Sequence, residues 1–267
     1  MTGRSDPGLS GIIIKKGSFP LIKSLARALL PAAVHESAAR RWQQIRHFGR
    51  RHYCPLCRSH VASFLPHGTP VREQALCPVC RCKEAHRLAY LYLSERTDIL
   101  KTNCTMLHIA PEPELSRWLR RQPRVIYLSG DLCPGVGELC LNLCRLPFRD
   151  SSLDLVYCAH VLNALPDDMQ AMREVHRVLK PGGVAVMNVP LQPGAATLEP
   201  EEDSAAGRMR LCHDPDIYRI YGDDLPERFA DVDLQIELED FYSALSMEEC
   251  RRCGLQATPV ARCTKPR

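Results

Sequence analysis

Apolar and polar positions recur regularly between residues 146 and 190, and this stretch predicts three consecutive elements. Residues 153–158 form an apolar, β-branched and aromatic run of the length of a buried parallel strand. Apolar residues then recur every three to four positions, which predicts a helix with one apolar face: Met169, Met172, Val175 and Leu179. Residues 180–183, Lys-Pro-Gly-Gly, end that helix, and residues 184–189 supply the next apolar strand. Strand, helix and strand in this order are the unit of an open parallel sheet.

Further elements flank this unit. Upstream, three strands are predicted at residues 106–109, 125–129 and 139–143. Only seven residues separate Asp131 from the third of them, which is too few for a full crossover helix. The predicted sheet is therefore trimmed at this point. Residues 19–49 are helical in character with a break at Pro31. Downstream, two strands and an intervening helix are predicted at residues 234–238, 256–260 and 246–253.

Charge divides the chain into two halves. The formal net charge is +4 over 267 residues, but residues 1–100 hold 16 basic against 6 acidic side chains. Residues 101–267 hold 19 basic against 25 acidic side chains. A basic front and an acidic rear suggest two modules with different partners. The basic part could face nucleic acid, an acidic lipid surface or the acidic rear of its own chain.

Two Cys-x-x-Cys pairs stand in the basic front, Cys54 with Cys57 and Cys77 with Cys80, with 19 residues between the pairs. This spacing is typical of a zinc ribbon, in which each pair folds as a tight turn and both turns offer thiolates to one Zn²⁺. Four thiolates leave no open position, so the predicted zinc is structural and supplies folding energy to a small module. The alternative is four unligated thiols, and Cys82 is a spare thiol two residues further on.

The sequence shows no segment of 18 or more consecutive apolar residues and no secretory signal pattern. Fourteen cysteines without an export signal point to a reducing compartment, in which thiols bind metals or fill cores. We therefore expect a cytoplasmic protein without a transmembrane segment.

The ordered motifs of residues 146–190 resemble the second half of a class I S-adenosylmethionine-dependent methyltransferase of the type 11 kind. These motifs are Leu-Pro-Phe before the strand, Pro-Asp-Asp near the helix start and Arg-x-Leu-Lys-Pro-Gly-Gly at its end. Glu84, His86 and Arg87, before a leucine- and tyrosine-rich helix, resemble bacterial methyltransferases that carry a zinc ribbon. Ala85 stands where that family has an arginine. The resemblance implies a Rossmann-like seven-stranded sheet and S-adenosylmethionine as the cofactor.

Within this resemblance, the first strand ends in Leu-His-Ile-Ala-Pro-Glu, a glycine-free turn that the same bacterial family uses. Glu112 in this turn is expected to pair with the ammonium group of the cofactor. Asp131, just past the second strand, could accept hydrogen bonds from the ribose hydroxyls, as in dinucleotide folds, or could be a surface turn residue. Asn142 stands where the family has an aspartate near the adenine ring. The other expected cofactor residues are Ile109, Ala110, Pro111, Leu132, Leu143 and Cys158.

Methyl transfer by in-line displacement depends chiefly on positioning, and a base is required only if the acceptor must first lose a proton. His160, after the fourth strand, is the candidate base, with a capping or core role as the alternative. Asn163 and Ala164 replace the glutamate and second histidine that the family has in this run. Candidates to face the acceptor, with a structural polar network as the alternative, are His86, Arg87, Arg219 and Tyr221.

Two functions from different classes are consistent with these residues. The first is an active methyltransferase with an unidentified acceptor. The second is a binding or scaffold protein on a methyltransferase fold that has lost catalysis, with RNA suggested as a partner by the basic front. Replacements favouring the second are Ala85, Asn163, Ala164 and Ile217. The expected organisation is a basic helical arm (1–50), a zinc ribbon with a connecting helix (51–98) and a methyltransferase-like domain (99–267).

Overall fold

The computed structural model describes residues 32–68 and 70–267. The chain divides into two units, Met1–Trp42 and Gln43–Arg267. Helix α1 spans Ala32–Arg46 and matches the second of the two helical segments predicted on either side of Pro31. The first of those segments lies outside the described residues. None of the helices in the described ranges has the length and apolarity that a membrane span requires.

Two short antiparallel hairpins follow α1. Strand β1 (His52–Cys54) pairs with β2 (Ser59–Val61), and β3 (Leu65–His67) pairs with β4 (Arg72–Leu76). One Cys-x-x-Cys pair begins at the end of β1 and the other directly after β4. Cysteines make up most of the buried core of this module, whose members are Cys54, Val61, Phe64, Cys77, Val79, Cys80 and Cys82. So few apolar side chains cannot stabilise a module of this size alone.

Helix α2 (Glu84–Arg96) connects the hairpins to the sheet and also covers part of it. Its residues Leu88, Tyr92 and Leu93 are buried in one core with Met106 and Leu155 of the sheet. The connecting helix therefore contributes to the larger hydrophobic core, although the sequence assigned it to the ribbon segment.

The predicted seven-stranded sheet is confirmed. Its order is β10-β11-β9-β8-β5-β6-β7, with β11 antiparallel to both neighbours and the remaining pairs from β9 to β7 parallel. The trimmed connection after the second strand is also confirmed, because β7 has two residues and no helix precedes it. The strands are β5 (Cys104–Ile109), β6 (Val125–Asp131), β7 (Leu139–Cys140), β8 (Leu153–Ala159), β9 (Leu179–Asn188), β10 (Gln235–Glu239) and β11 (Val260–Thr264).

Helices cover both faces of the sheet. Alternate strand residues point to opposite sides, and apolar side chains on both sides are buried under helices. Met106 joins the core under α2, whereas its neighbour Leu107 joins the core on the other face. That second core includes the apolar face of helix α4, as its period predicted. The helices after α2 are α3 (Pro113–Leu119), α4 (Asp168–Val178), α5 (Ala205–Cys212), α6 (Leu225–Arg228), α7 (Phe241–Ala244) and α8 (Met247–Cys253).

Several strand boundaries differ from the sequence-based prediction. Strand β9 begins at Leu179, the last apolar position assigned to the preceding helix, and not at residue 184. The strand predicted at residues 256–260 lies at Val260–Thr264. It sits between β9 and β10, so both of its edges are hydrogen-bonded. Pro259 lacks the N–H that such a central position requires, and the strand begins after it. The short strand predicted at residues 139–143 forms ladder pairs only at Leu139 and Cys140.

Candidate functional site

The turn after β5 lies at the carboxyl edge of the parallel strands, where open α/β sheets bind ligands. Ala110 has a φ of +50°, and its N–H donates to the carbonyl of Gly130 at 2.9 Å. A left-handed conformation costs a residue with a Cβ roughly 1–2 kcal/mol, and such strain persists where surrounding structure enforces it, often at ligand sites. Ile109 is buried, and Pro111 and Glu112 are partly exposed. The turn therefore presents its backbone at the edge with only a methyl group at Ala110.

A buried polar chain holds Glu112 in place. The Nε2 atom of His108 lies 2.7 Å from Glu112 Oε2, and its Nδ1 lies 3.0 Å from the hydroxyl of Tyr127. That hydroxyl lies 2.8 Å from Ser116 Oγ. Burial raises the pKa of Glu112, but the hydrogen bond and positive field of His108 outweigh it and lower the pKa overall. Glu112 is therefore an oriented carboxylate at the edge of the sheet.

The sequence analysis missed His108 as a functional residue. The His108 side chain is fully buried near the end of β5, and it contacts the site through its hydrogen bond to Glu112. The available signal was a histidine inside an apolar strand, four residues before an acidic residue in the following turn. A buried histidine requires hydrogen-bond partners, and the nearby carboxylate supplies one of them.

Asp131 ends β6 and lies next to the turn after β5 in the parallel register, since its neighbour Gly130 pairs with Ile109. Its Oδ1 accepts a hydrogen bond from the N–H of Cys133 at 2.7 Å, which fixes the carboxylate. Leu132, the next residue, is 68% exposed. An oriented carboxylate beside an exposed apolar side chain suits a ligand that has a sugar and an aromatic ring.

The other expected cofactor residues lie on the neighbouring strand ends. Asn142 is exposed after β7, and its Oδ1 accepts from the N–H of Cys144 at 2.9 Å. Leu143 is buried beside it. Cys158, in β8, is buried in the core, and burial raises the pKa of its thiol to about 12. Cys158 is therefore an uncharged thiol that packs behind the edge.

His160 follows β8 with a φ of +56°, and its N–H donates to the carbonyl of Asn188 at 2.7 Å. Desolvation by the surrounding protein lowers the pKa of His160. It also lowers the pKa of His86, at the start of α2. The field of Glu112 acts on both rings in the opposite sense. The structure thus brings together His86, Glu112 and His160, and other charges acting on His160 come from Lys83, Arg72 and Glu84.

Arg219 and Tyr221 lie in a buried ionic network and not on an open surface. The Tyr221 hydroxyl donates to Asp168 Oδ2 at 2.8 Å, and Arg228 Nε donates to the same oxygen at 2.8 Å. Arg219 pairs with Glu199 at 2.8 Å and donates to main-chain carbonyls of residues 162–166. Tyr221 is 0% and Arg219 is 4% exposed. For these two residues the structure favours the structural alternative over contact with an acceptor.

Arg87 is also fully buried. Its guanidinium donates to five main-chain carbonyls, those of residues 74, 75, 82, 253 and 254, at 2.6–3.2 Å. Its Cζ lies 3.9 Å from the centroid of the Phe64 ring. No carboxylate of the described residues forms an ion pair with it. Arg87 therefore joins the ribbon to the end of α8, and the structure again favours the structural alternative.

Five thiols meet at the ends of the two hairpins. The sulfurs of Cys54, Cys77, Cys80 and Cys82 all lie within 4.8 Å of one another. Sulfur pairs lie 3.7 Å apart for Cys54 and Cys80, 3.8 Å for Cys57 and Cys77, and 3.4 Å for Cys54 and Cys82. Tetrahedral zinc with Zn–S bonds of about 2.3 Å separates its sulfurs by about 3.8 Å. The cluster therefore fits one zinc ion. Its four mutually close sulfurs include Cys82, which the spacing argument left as a spare thiol, in place of the expected ligand Cys57.

Part of the α/β domain is similar to a known protein family. Residues 122–187 match the family model described as a methyltransferase domain. This part of the chain is therefore similar to a methyltransferase domain. The match covers β6 to most of β9, which includes the β-α-β unit that carried the sequence resemblance.

Curated relatives match a short part of this chain. Demethylmenaquinone methyltransferase of Lactiplantibacillus plantarum is 42% identical over 59 residues, which are 22% of this chain and 25% of the relative. The enzyme of the same name from Listeria welshimeri is 52% identical over 42 residues, 16% of this chain and 18% of the relative. The chain thus spans about a quarter or less of the length of the curated relatives it matches.

Solved structures cover more of the chain at low identity. A chain from the complex of the Haloferax volcanii Trm112 methyltransferase activator with a methyltransferase is 16% identical, with a TM-score of 0.46 over 69% of this chain and 91% of that one. Burkholderia thailandensis 1,6-didemethyltoxoflavin-N1-methyltransferase with S-adenosylhomocysteine is 14% identical, with a TM-score of 0.48 over 69% and 80%. Nothing about activity follows from likenesses at this level.

Proposed function

We propose that this protein transfers a methyl group from S-adenosylmethionine to a nucleophilic acceptor. The observation that carries the proposal is the arrangement of Glu112, Asp131 and His160 at the carboxyl ends of β5, β6 and β8 in a methyltransferase domain. Ligands of open α/β sheets bind at this edge. Two of the three residues are fixed in orientation by hydrogen bonds, through His108 for Glu112 and through the Cys133 N–H for Asp131.

The residues at this edge fit the cofactor. Glu112 is an ionised carboxylate suited to an ammonium group, and Asp131 retains one carboxylate oxygen for ribose hydroxyls. The cofactor supplies a methyl group on a positively charged sulfur. The exposed side chain of Leu132 would cover an aromatic base, with Asn142 offering its amide. The backbone of Ile109, Ala110 and Pro111 would form the floor, with Leu143 and Cys158 behind it.

His160 is the proposed base where the acceptor must lose a proton. Its lowered pKa keeps the ring neutral at neutral pH, and a neutral ring can accept a proton. Held by Glu112 and Asp131, the cofactor would supply the methyl group to the acceptor's lone pair, and the electrons of the broken carbon–sulfur bond would remain on sulfur. The proton of the acceptor passes to His160. His86 stands on the ribbon side of the same edge and is the proposed acceptor-facing residue.

We propose structural zinc as the second bound group. The thiol geometry supports one ion, and the pairs Cys54–Cys80 and Cys57–Cys77 both lie at the sulfur separation of a tetrahedral site. This retains the four ligands expected from the spacing and leaves Cys82 as a fifth, alternative ligand. All ligand positions are taken by thiolates, so the ion would stabilise the ribbon and take no part in methyl transfer.

Calorimetry with S-adenosylmethionine and its demethylated product tests the cofactor proposal. The Asp131→Ala variant should bind at least about a hundredfold more weakly, since two charge-assisted hydrogen bonds contribute about 1.5–3 kcal/mol each. Asp98→Ala is the matched control, because Asp98 is exposed and lies before β5, at the opposite end of the parallel strands from the proposed site. Equal binding by parent and Asp131→Ala would contradict the proposed cofactor position, and no binding by the parent would contradict methyl transfer.

A second candidate function is a scaffold on the same fold without catalysis. Asn163 favours it, because this replacement of a family glutamate is buried and its Oδ1 has no hydrogen-bond partner among the described residues. Cofactor binding without methyl transfer to any cellular extract would support this candidate. The basic front makes nucleic acid a proposed partner for either function, and the cysteine content supports a proposed cytoplasmic location.

A further inference from the structure

A cavity of about 890 Å³ lies between the first hairpin of the ribbon and the end of α8. Residues 48–60 and 73–74 form one wall, and residues 248–256 form the other. The volume is near the upper end of the range for small-ligand sites. The cavity is separate from Glu112, Asp131 and His160, none of which lines it.

Positive charge exceeds negative charge in this cavity, because four arginines line it against two carboxylates, Glu73 and Glu248. The arginines are Arg50, Arg51, Arg251 and Arg252, and all four are exposed. Within residues 32–68 and 70–267, none of the four forms an ion pair. Other arginines of the chain, such as Arg177, pair with carboxylates at 2.7–2.8 Å. Unpaired arginines that converge on one concave surface repel each other, and a polyanion would relieve this repulsion.

Aromatic and imidazole rings alternate with the arginines. Phe48 lines the cavity and is 64% exposed, an unusual degree for so apolar a ring. Tyr242 lines the opposite wall. The Arg252 guanidinium lies 5.1 Å from the centroid of the Tyr53 ring, and His60 lies 5.0 Å from the same ring. Guanidinium groups beside exposed rings are the combination that binds phosphates and stacks unpaired bases.

Strand β4 connects the cavity to the proposed reaction edge. Glu73 and Gln74 line the cavity, and the preceding residue, Arg72, acts electrostatically on His160. Arg72 also pairs with Glu84 at the start of α2 at 2.5 Å. A long ligand in the cavity could therefore continue over β4 toward the carboxyl edge of the sheet.

We propose that this cavity binds the phosphate backbone of single-stranded RNA. The inference deepens the nucleic-acid partner of the proposed function by giving that partner a site. Charge argues against the chain's own first 31 residues as the occupant, since they carry five basic side chains and one acidic one. The exposed Phe48 favours unpaired bases over an acidic peptide, which offers charge without stacking surfaces.

Fluorescence anisotropy with a labelled oligouridylate of about 12 nucleotides tests the site on the full-length protein. Arg251→Gln/Arg252→Gln and Arg50→Gln/Arg51→Gln should each weaken binding about tenfold at about 50 mM salt. Each should also reduce the slope of log affinity against log salt by about 1.4, since each single-strand phosphate contact contributes about 0.7. Phe48→Ala should weaken binding at every salt concentration without changing the slope, because stacking releases no counterions.

Arg149→Gln/Arg173→Gln is the matched control, because it removes the same charge from two exposed arginines that lie outside the cavity. It should change affinity less than about twofold, since surface charges beyond a Debye length are screened. Equal weakening by this control, no binding at low salt, equal binding of duplex RNA, or full competition by polyglutamate would each overturn the proposal. RNA binding is measured without S-adenosylmethionine. A negative result would therefore contradict the RNA site and not the cofactor site, and absence of cofactor binding would not contradict the RNA site.

Discussion

Replacement of Arg87 by methionine should strongly destabilise the protein, because this residue joins the hairpins to the end of α8 from a fully buried position. The substitution keeps an unbranched apolar stem and removes the guanidinium group with its charge and donors. Four main-chain carbonyls then lose this partner at once, whereas the fifth, that of Cys82, still accepts from the N–H of Cys77. A buried acceptor without a partner costs about 1–3 kcal/mol.

The lower end of that range gives about 4 kcal/mol for the four carbonyls. For a unit of this size, about 1 kcal/mol shifts the melting temperature by roughly 2–4 °C, so we expect a decrease of roughly 8–16 °C. Arg87→Lys should fall between the parent and Arg87→Met, since an ammonium group keeps the charge but cannot reach five acceptors with a planar fork.

Zinc content is the second measurement on Arg87→Met. The Nη1 atom of Arg87 lies 3.9 Å from Cys82 Sγ and donates to the Cys82 carbonyl at 3.2 Å. Four thiolates on Zn²⁺ carry a net negative charge, which the buried guanidinium would balance. Arg87→Met should therefore release zinc to a chelator faster than the parent.

Differential scanning calorimetry with Arg121→Met as the control decides the outcome. Arg121 is exposed, and its substitution removes the same side chain without loss of buried donors. A melting temperature of Arg87→Met within about 2 °C of the parent, or an equal decrease in Arg121→Met, would refute the reasoning. Such a result would mean that water reaches the four carbonyls when the guanidinium is absent.

Three further predictions follow from the described contacts. Elemental analysis should find one zinc per chain in the parent and in Cys82→Ser, and a reduced zinc content in Cys57→Ser. Full zinc content in Cys57→Ser with a reduced content in Cys82→Ser would instead identify Cys82 as the fourth ligand and Cys57 as the spare thiol. Burial lowers the pKa values of His86 and His160 in the folded protein, so as pH falls these side chains are protonated more readily in the unfolded chain than in the folded one. The free energy of unfolding should therefore fall as pH drops below about 6.5. Urea titrations of His86→Asn/His160→Asn should show a smaller fall over this range, and an unchanged fall would contradict the assignment. Tyr221→Phe should lower the free energy of unfolding by about 1–3 kcal/mol without affecting cofactor affinity, since it removes a hydrogen bond to a buried carboxylate; a loss of cofactor affinity alone would restore a role at the site.

The sheet was predictable because its signals are local. The apolar run at residues 153–158 and the amphipathic period of α4 each lie within one element, and the link between them is short. Chain length alone excluded a crossover helix before β7. The start of β11 was not predictable from its own residues. Pro259 excludes a strand only when both strand edges are paired, and that pairing depends on β9 and β10.

The thiol cluster was half predictable. Two Cys-x-x-Cys pairs at ribbon spacing indicated a four-thiolate site before any fold was known. That Cys82 joins the cluster follows from the turn after Cys80, in which the N–H of Cys77 donates to the carbonyl of Cys82 at 2.9 Å. This turn returns the chain toward the metal position. A rule based on the number of residues between cysteines cannot predict that the chain turns back toward the metal position in this way.

The sequence by itself determined the element types, the parallel sheet and the cysteine pairs, because each depends on neighbours within a few positions along the chain. The tertiary structure alone decided which polar residues are exposed. Arg87, Arg219 and Tyr221 are polar in the sequence, yet carbonyls and carboxylates from distant segments surround them and offset the cost of burial. The basic cavity likewise exists only where residues near 50 meet residues near 250. Burial and convergence of charge depend on contacts distant in sequence, and a pattern of local residues cannot specify them.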